Sequence, residues 1–133
     1  MLQLILMFYS WMEIGTGYTL SAQGDPWNPR PYAACLRRDM DDKRDAIVAH
    51  RTLPCGMRVF LYAVKTGRWT YAVVGDRGPF GKRKNGKYRG IVDMSPIVNR
   101  RLRARGKAVV VLIPVPHNHR GPDEMEAKEN QPR

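Results

Sequence analysis

Short apolar runs separated by turn residues fill the centre of the chain. Residues 58–64 and 68–74 are rich in Val, Phe, Tyr and Trp, which favour β-strands. Thr66-Gly67 between them is a turn signal, so the two runs predict a β-hairpin that ends just before Asp76. Residues 108–115 form an almost uninterrupted apolar run, which is typical of a buried closing strand.

Weaker signals complete this pattern. Residues 15–20, 47–49 and 91–92 have strand character. Ser95-Pro96 followed by Gly106 predicts one short helix, because Ser favours the cap, Pro the first position and Gly the stop. Several short strands and one helix make a small closed barrel the economical architecture, so the pattern predicts a small, mainly-β domain.

Both ends of the chain differ from this centre. Residues 1–12 form an apolar run that is too short to span a bilayer and resembles part of an export signal, although the first basic residue is Arg30. A translation start at Met12 explains the run equally well, and both interpretations stay open. From Pro116 onward the chain is polar, and we expect it to be disordered. The predicted organisation is an apolar segment at 1–14, one domain at 15–115 and a disordered tail at 116–133.

The chain is strongly basic, with 23 Lys and Arg against 12 Asp and Glu. The surplus lies in residues 31–113, which carry 19 basic and six acidic side chains. Such a surface suits a polyanion, whether nucleic acid, anionic lipid or a bacterial wall polymer. A solvated surface that keeps the protein soluble explains the charge equally well, so charge alone does not choose a partner.

The two cysteines, Cys35 and Cys55, are enough for one disulfide outside the cytoplasm. In a reducing compartment they would be two small thiols. Neither has Cys-x-x-Cys spacing, and two of the three histidines, His117 and His119, lie in the polar tail. A metal site is therefore not expected, and nothing indicates a cofactor.

Two predicted loops carry side chains that suit a sugar polymer. Residues 24–31 hold three prolines and one glycine around Trp27. The ring of Trp27 either stacks on a sugar or plugs the end of the barrel, and both interpretations stay open. Residues 79–90 form a basic loop whose Lys82 and Lys84 would contact anionic groups.

Three motifs occur in order along the domain. They are Ala49-His50-Arg-Thr-Leu-Pro-Cys-Gly56, then Gly75-Asp-Arg-Gly-Pro-Phe80, then Gly90-Ile-Val-Asp-Met-Ser-Pro96. In this order and spacing they resemble the rare lipoprotein A (RlpA)-like domain, over about residues 32–115. The resemblance implies a small six-stranded double-psi β-barrel, a fold that expansins share. It also implies an extracytoplasmic location, in the periplasm, the cell envelope or the secreted fraction.

Known members of that family include lytic transglycosylases of peptidoglycan. The resemblance implies that Asp76 is the catalytic acid/base and that His50 supports it. A third family residue is a Glu that lies 11 positions before the His, and Asp39 occupies that position here with a side chain one methylene shorter. One acid/base group suffices for this reaction, because the C6 hydroxyl of N-acetylmuramic acid attacks its own anomeric carbon and leaves a 1,6-anhydro product.

The remaining motif residues have supporting roles. Arg77 would hold either ligand or backbone, whereas Asp76 taken alone would be read as a turn residue. Asp93 is expected to be structural, accepting backbone N–H bonds around Ser95 at the start of the helix.

The sequence thus predicts a monomeric lytic transglycosylase that acts on peptidoglycan or another cell-wall polysaccharide. The substrate contacts would come from Arg77, Trp27, Lys82 and Lys84. The alternative is a non-catalytic, expansin-like polysaccharide-binding module that uses the same groove. Neither a transmembrane span nor specific nucleic-acid binding is expected, since only the net charge favours the latter.

Overall fold

The computed structural model describes residues 12–20 and 32–115 of the 133-residue chain. Trp27, the first 11 residues and the tail from residue 116 lie outside the described residues, so the predictions made for them stay predictions. The elements in chain order are β1 (Glu13–Thr19), β2 (Tyr32–Ala33), β3 (Arg38–Asp39), β4 (Ile47–Ala49), β5 (Arg58–Ala63), β6 (Trp69–Asp76), β7 (Val92–Met94), α1 (Pro96–Leu102) and β8 (Lys107–Val115).

Six strands close into a barrel in the order β1-β7-β4-β6-β5-β8, and β8 pairs back onto β1. The pairs β1/β7 and β4/β6 are parallel, whereas the other pairs are antiparallel. Strands β2 and β3 form a separate two-stranded sheet. The predicted mainly-β fold, a six-stranded barrel with one short helix, is confirmed. The double-psi connectivity that the resemblance implied stays a prediction.

The interior of the barrel is filled by alternate residues of the long strands. Val59, Leu61 and Ala63 of β5 are fully buried, and Leu61 lies in register with the buried Leu112 of β8. Side chains of a strand alternate between its two faces, so one face of β5 reaches the core while the other faces outward. Burial of a Leu or Val side chain contributes about 2 kcal/mol, which makes this row a main stabilising element.

Helix α1 is shorter than the sequence predicts. It ends at Leu102, four residues before the predicted stop at Gly106, and Arg103 takes up the left-handed φ of 52°. Ser95 makes no side-chain cap bond with the helix. Its Oγ instead accepts the N–H of Ile47 at 3.1 Å, which fixes the helix start against β4.

Strand β1 begins at Glu13, so the barrel includes two residues that the sequence assigned to the apolar N-terminal segment. Within residues 12–20 and 32–115, α1 is seven residues long, and no helix there has the length and apolar character that crossing a membrane requires.

Candidate functional site

Two carboxylates flank the same residue of β4. This strand lies between β6 and β7, and Ala49 is in register with Asp76 on one side and with Asp93 on the other. Neighbouring strands lie about 4.8 Å apart, so the two Asp Cα atoms are about 10 Å apart, and residues in register point to the same face. The Asp76 and Asp93 side chains therefore leave the barrel wall on the same side.

A β-bulge at Gly75 brings Asp76 into register with Ala49. The register between β4 and β6 passes from the Val48–Val74 pair directly to the Ala49–Asp76 pair, so Gly75 has no partner on β4. Without this extra residue, Asp76 would point to the opposite face. Only glycine fits here, because a Cβ at Gly75 would lie 2.8 Å from each of three side-chain atoms of Ile47.

Among the described residues, Asp93 has a carboxyl group whose pKa lies well above its ordinary value. Burial raises its pKa to about 6, and the negative charge of Asp76 acts in the same direction, whereas the Arg51 guanidinium opposes both. Its Oδ2 also lies 3.8 Å from the position that a Cβ on Gly78 would occupy, so the carboxyl lies against the segment that carries Asp76.

The sequence predicted a purely structural role for Asp93 and did not predict its raised pKa. Among the described residues, no hydrogen bond joins its carboxylate to helix α1. A signal was present in the sequence, since Asp93 directly follows the short apolar run Ile91-Val92 within the third motif. What the sequence lacks is the register that brings this strand beside β4.

The carboxylate of Asp76 is half-buried and is held from outside the barrel. Its Oδ1 accepts the backbone N–H of Ala34 at 2.9 Å, and the carbonyl of Gly75 accepts the N–H of Cys35 at 3.1 Å. A disulfide joins Cys35 to Cys55, with 5.2 Å between their Cα atoms. The turn at residues 34–37 is thereby fixed against the end of β6 and tied to the turn that follows β4.

The His50 ring is held by the turn that follows it and by Glu13. Its side chain is buried, and Nδ1 accepts backbone N–H bonds from Thr52 at 3.1 Å and from Leu53 at 3.0 Å. The ring proton therefore lies on Nε2, which donates to Oε1 of Glu13 at 2.7 Å. The link from His50 to Asp76 runs through the backbone, because the His50 N–H donates to the Asp76 carbonyl at 3.1 Å. The sequence did not point to Glu13, because the strand that supplies it lies far from His50 along the chain.

Arg77 contacts the backbone of the turn that follows β4. Its guanidinium donates to the carbonyl of His50 at 3.2 Å and to that of Leu53, and it lies 3.2 Å from Sγ of Cys55. Of the two roles expected for Arg77, the structure shows the backbone role. Substrate binding by this side chain stays a prediction.

Arg51 connects the carboxylate pair to the basic loop. Its Nη1 donates to the carbonyls of Pro79 at 2.6 Å and Gly90 at 2.8 Å, which are the two ends of the loop. The guanidinium also lies over the exposed ring of Tyr88, 3.9 Å from Cζ to the ring centroid. Sequence reasoning missed both Arg51 and Tyr88, although Arg51 directly follows His50 in the first motif.

The two lysines predicted to bind substrate lie on this loop. Lys82 forms an isolated bridge with Tyr88, and its Nζ is 5.1 Å from the centroid of the Tyr88 ring. Lys84 lies at the exposed turn, which is closed by a 2.8 Å bond from the N–H of Arg83 to the carbonyl of Lys87. The loop therefore has internal hydrogen bonds of its own, and Lys82 and Arg51 both lie over the ring of Tyr88.

Asp39 lies on the hairpin of β2 and β3, whose turn bonds to Asp76, but its own carboxylate contacts none of these groups. It is exposed on β3, in register with Tyr32, and its carboxylate makes no hydrogen bond or ion pair with any described residue. The structure thus brings Asp76 and His50 together at the barrel mouth with Asp93, Glu13 and Arg51, and it gives Asp39 no contact with them.

The arrangement suits proton transfer. A carboxyl with a raised pKa beside an anionic one can hold a proton at mildly acidic pH while its neighbour stays charged. In the part of the chain that the structure describes, no three or more His, Cys, Asp or Glu side chains cluster as metal ligands would.

Comparison with known proteins supports the fold but not a function. No protein-family model matches the sequence, and no curated protein matches it. Among solved structures, the chain is similar to the Streptomyces papain inhibitor (SPI), with a TM-score of 0.53 and 20% sequence identity over 79% of this chain and 94% of that chain. At this level of identity the likeness shows a shared fold alone. The resemblance to the RlpA-like domain stays a prediction.

Proposed function

We propose that this protein is a lytic transglycosylase that cleaves the bond between N-acetylmuramic acid and N-acetylglucosamine in peptidoglycan without consuming water. The observation that carries the proposal is the pair of carboxyls in register with Ala49. Asp93 has a pKa raised to about 6, and Asp76 supplies the neighbouring negative charge. Most glycosidases use such a division between a proton donor and an anion.

In this proposal Asp93 takes the acid/base role that the resemblance gave to Asp76. Protonated Asp93 donates its proton to the glycosidic oxygen as the bond to the anomeric carbon breaks, so the leaving sugar departs as an alcohol. The carboxylate of Asp76 stabilises the positive charge that develops at the anomeric carbon. The C6 hydroxyl of the same N-acetylmuramic acid then attacks that carbon, and its proton passes to the carboxylate of Asp93. Both side chains return to their starting states, and the product is a 1,6-anhydro sugar.

The surroundings of the pair support a glycan substrate. Tyr88 offers an exposed aromatic ring, and such a ring stacks well on the C–H face of a pyranose. Lys82 next to this ring adds a positive charge that complements the carboxylates of a wall polymer. Because Arg51 contacts Tyr88 and also influences Asp93, a sugar bound on the ring would lie near the reacting carboxyls.

The test incubates the full-length protein with purified, peptide-stripped glycan strands and analyses the products by mass. A transglycosylase leaves anhydro-muramic ends, which are one water lighter than the ends left by hydrolysis. We expect these products from the wild type and about a hundredfold less from Asp93→Asn, because loss of a general acid typically costs this much or more. An Asp76→Asn variant should also lose yield.

The same assay contains the outcomes that would overturn the proposal. Absence of anhydro products from the wild type would do so, and so would an undiminished yield from Asp93→Asn. Asp39→Asn makes the same chemical change on an exposed carboxylate. A near-normal yield from that variant separates Asp39 from the reacting pair.

A non-catalytic, expansin-like binding module is the second candidate, and the exposed Tyr88 ring with Lys82 beside it favours this function. It predicts that insoluble peptidoglycan retains the protein while no product forms. Retention should then fall in Tyr88→Ala and persist in Asp93→Asn, whereas a catalytic site needs Asp93 for turnover.

A further inference from the structure

A surface at the opposite end of strand β6 from Asp76 combines positive charge with exposed apolar side chains. Three segments build it, namely the hairpin turn with its flanking residues at 62–69, the chain after α1 at 103–106 and the start of β8 at 107–109. We call this surface the basic pole. The Thr66 hydroxyl donates to the carbonyl of Leu102 at 2.7 Å, and the N–H of Val64 donates to the carbonyl of Val109 at 3.0 Å. These bonds hold the three segments together.

Every charged side chain of the basic pole is positive. Residues 52–75 and 94–115, which include all three segments, contain no Asp or Glu. Four of the five basic residues are exposed, and Arg68 is half-buried. The basic residues are Lys65, Arg68, Arg103, Arg105 and Lys107.

Exposed apolar side chains lie among these charges. The exposed fractions are 52% for Val64, 48% for Val109, 45% for Trp69 and 37% for Tyr62. Tyr62 lies in register with Trp69 across the hairpin, so the two aromatic side chains are neighbours on the outer face of the barrel. Single exposed apolar residues are common, but a contiguous group of them marks an interaction surface.

We propose that the basic pole docks the protein on an anionic lipid bilayer. Lys and Arg are attracted to anionic headgroups, while Trp and Tyr favour the boundary between headgroups and acyl chains. A nucleic acid or another phosphate polymer would use the positive charges, but it offers the aliphatic Val64 and Val109 nothing to contact. The lipid surface accounts for both kinds of side chain.

Docking in this orientation would leave Asp76 free. Strand β6 runs from Trp69 at the basic pole to Asp76 at its other end, which is roughly 20 Å at about 3.3 Å per residue. Asp76 would therefore lie away from the bilayer. The lipid proposal does not depend on the proposed reaction, since the two rest on different residues.

The test measures co-sedimentation of the full-length chain with vesicles at physiological ionic strength. One set of vesicles contains phosphatidylglycerol mixed with phosphatidylcholine, and the other contains phosphatidylcholine alone. We expect binding to the anionic vesicles that is at least about tenfold weaker in Lys65→Glu/Arg68→Glu, since each basic residue near an anionic surface contributes about fivefold. The matched control, Arg83→Glu/Lys87→Glu, makes the same charge change on the basic loop at the other end and should bind nearly as the wild type does.

A third double variant distinguishes a lipid surface from a phosphate polymer. Val64→Asn/Val109→Asn keeps the charge and changes only exposed side chains, so it should weaken binding to anionic vesicles severalfold and leave retention on heparin or DNA unchanged. Equal losses in both charge-reversal variants would mean that net charge alone drives binding, and this would overturn the proposal. Undiminished vesicle binding by the basic-pole variants would place the lipid contact elsewhere in the chain and would overturn it as well.

Discussion

Asp76 and Asp93 meet the same residue, Ala49, from the two strands that flank β4. The pairing makes them electrostatic neighbours, although 16 residues separate them along the chain. It gives one carboxyl a raised pKa and leaves the other as the charge that helps to raise it. The chemistry proposed for this protein rests on that asymmetry.

The titration of Asp93 tests this relationship without any substrate. Carbonyl ¹³C NMR should show an Asp carboxyl that titrates near pH 6, and the resonance should vanish in Asp93→Asn. Asp76→Asn should lower the midpoint, because it removes a negative charge that raises this pKa. Arg51→Gln should raise the midpoint, because it removes the opposing positive charge. A midpoint that is the same in all three proteins would contradict the electrostatic coupling.

The raised pKa of Asp93 also predicts a pH dependence of stability. The pKa is about 6 in the folded protein and 3.8 in its ordinary state, so between these values the folded protein holds more protons than the unfolded chain. The free energy of unfolding contributed by Asp93 is therefore fully present below pH 4 and is lost as the pH rises through 6. Asp93→Asn removes this dependence and should gain about 2 kcal/mol relative to the wild type between pH 4 and pH 7. Urea unfolding at both pH values measures the change, and an equal pH dependence in the wild type and in Asp93→Asn would contradict the prediction.

The fold was largely predictable because its signals are local. The hairpin of β5 and β6 follows from two β-branched and aromatic runs around Thr66-Gly67, and β8 follows from its apolar run. The site was only partly predictable. Asp76 stands out at a strand end, but the role of Asp93 depends on the register of three strands that are distant in sequence.

Two further residues show what a linear motif leaves out. Arg77 lies beside Asp76 in the sequence and suggested a ligand contact, yet its guanidinium reaches backbone carbonyls of the turn after β4. Asp39 was placed in the site by its spacing from His50, and it lies on β3, whose hairpin with β2 carries the Ala34 N–H that bonds to Asp76. A supporting role of its carboxylate stays a prediction, because no described residue bonds to it. Spacing identifies positions along a chain, whereas side-chain contacts depend on long-range packing.

The bulge at Gly75 yields a prediction that concerns geometry alone. Gly75→Ala keeps both carboxylates but places a methyl group 2.8 Å from atoms of Ile47, so β4 and β6 must separate or the bulge must shift. We expect a loss of about 2 kcal/mol in the free energy of unfolding, which is typical of overpacking. The proposed activity should fall with it. Gly81→Ala is the matched control, because a Cβ there meets nothing within 4 Å. Equal stability of the two variants would show that the bulge has room for a side chain.

The disulfide should fix the position of the Ala34 N–H, which donates to the carboxylate of Asp76. Cys35 adjoins Ala34, whose N–H bonds to Oδ1 of Asp76 at 2.9 Å, and the bond to Cys55 holds this turn against the barrel. Replacement of both cysteines by Ser should lower the free energy of unfolding by about 3 kcal/mol, the value typical of closing a loop of this size. It should also speed hydrogen exchange at the Ala34 amide more than at the amides of β5, because β5 lies in the barrel core. Unchanged exchange at Ala34 in the folded double variant would mean that the turn holds its place without the disulfide.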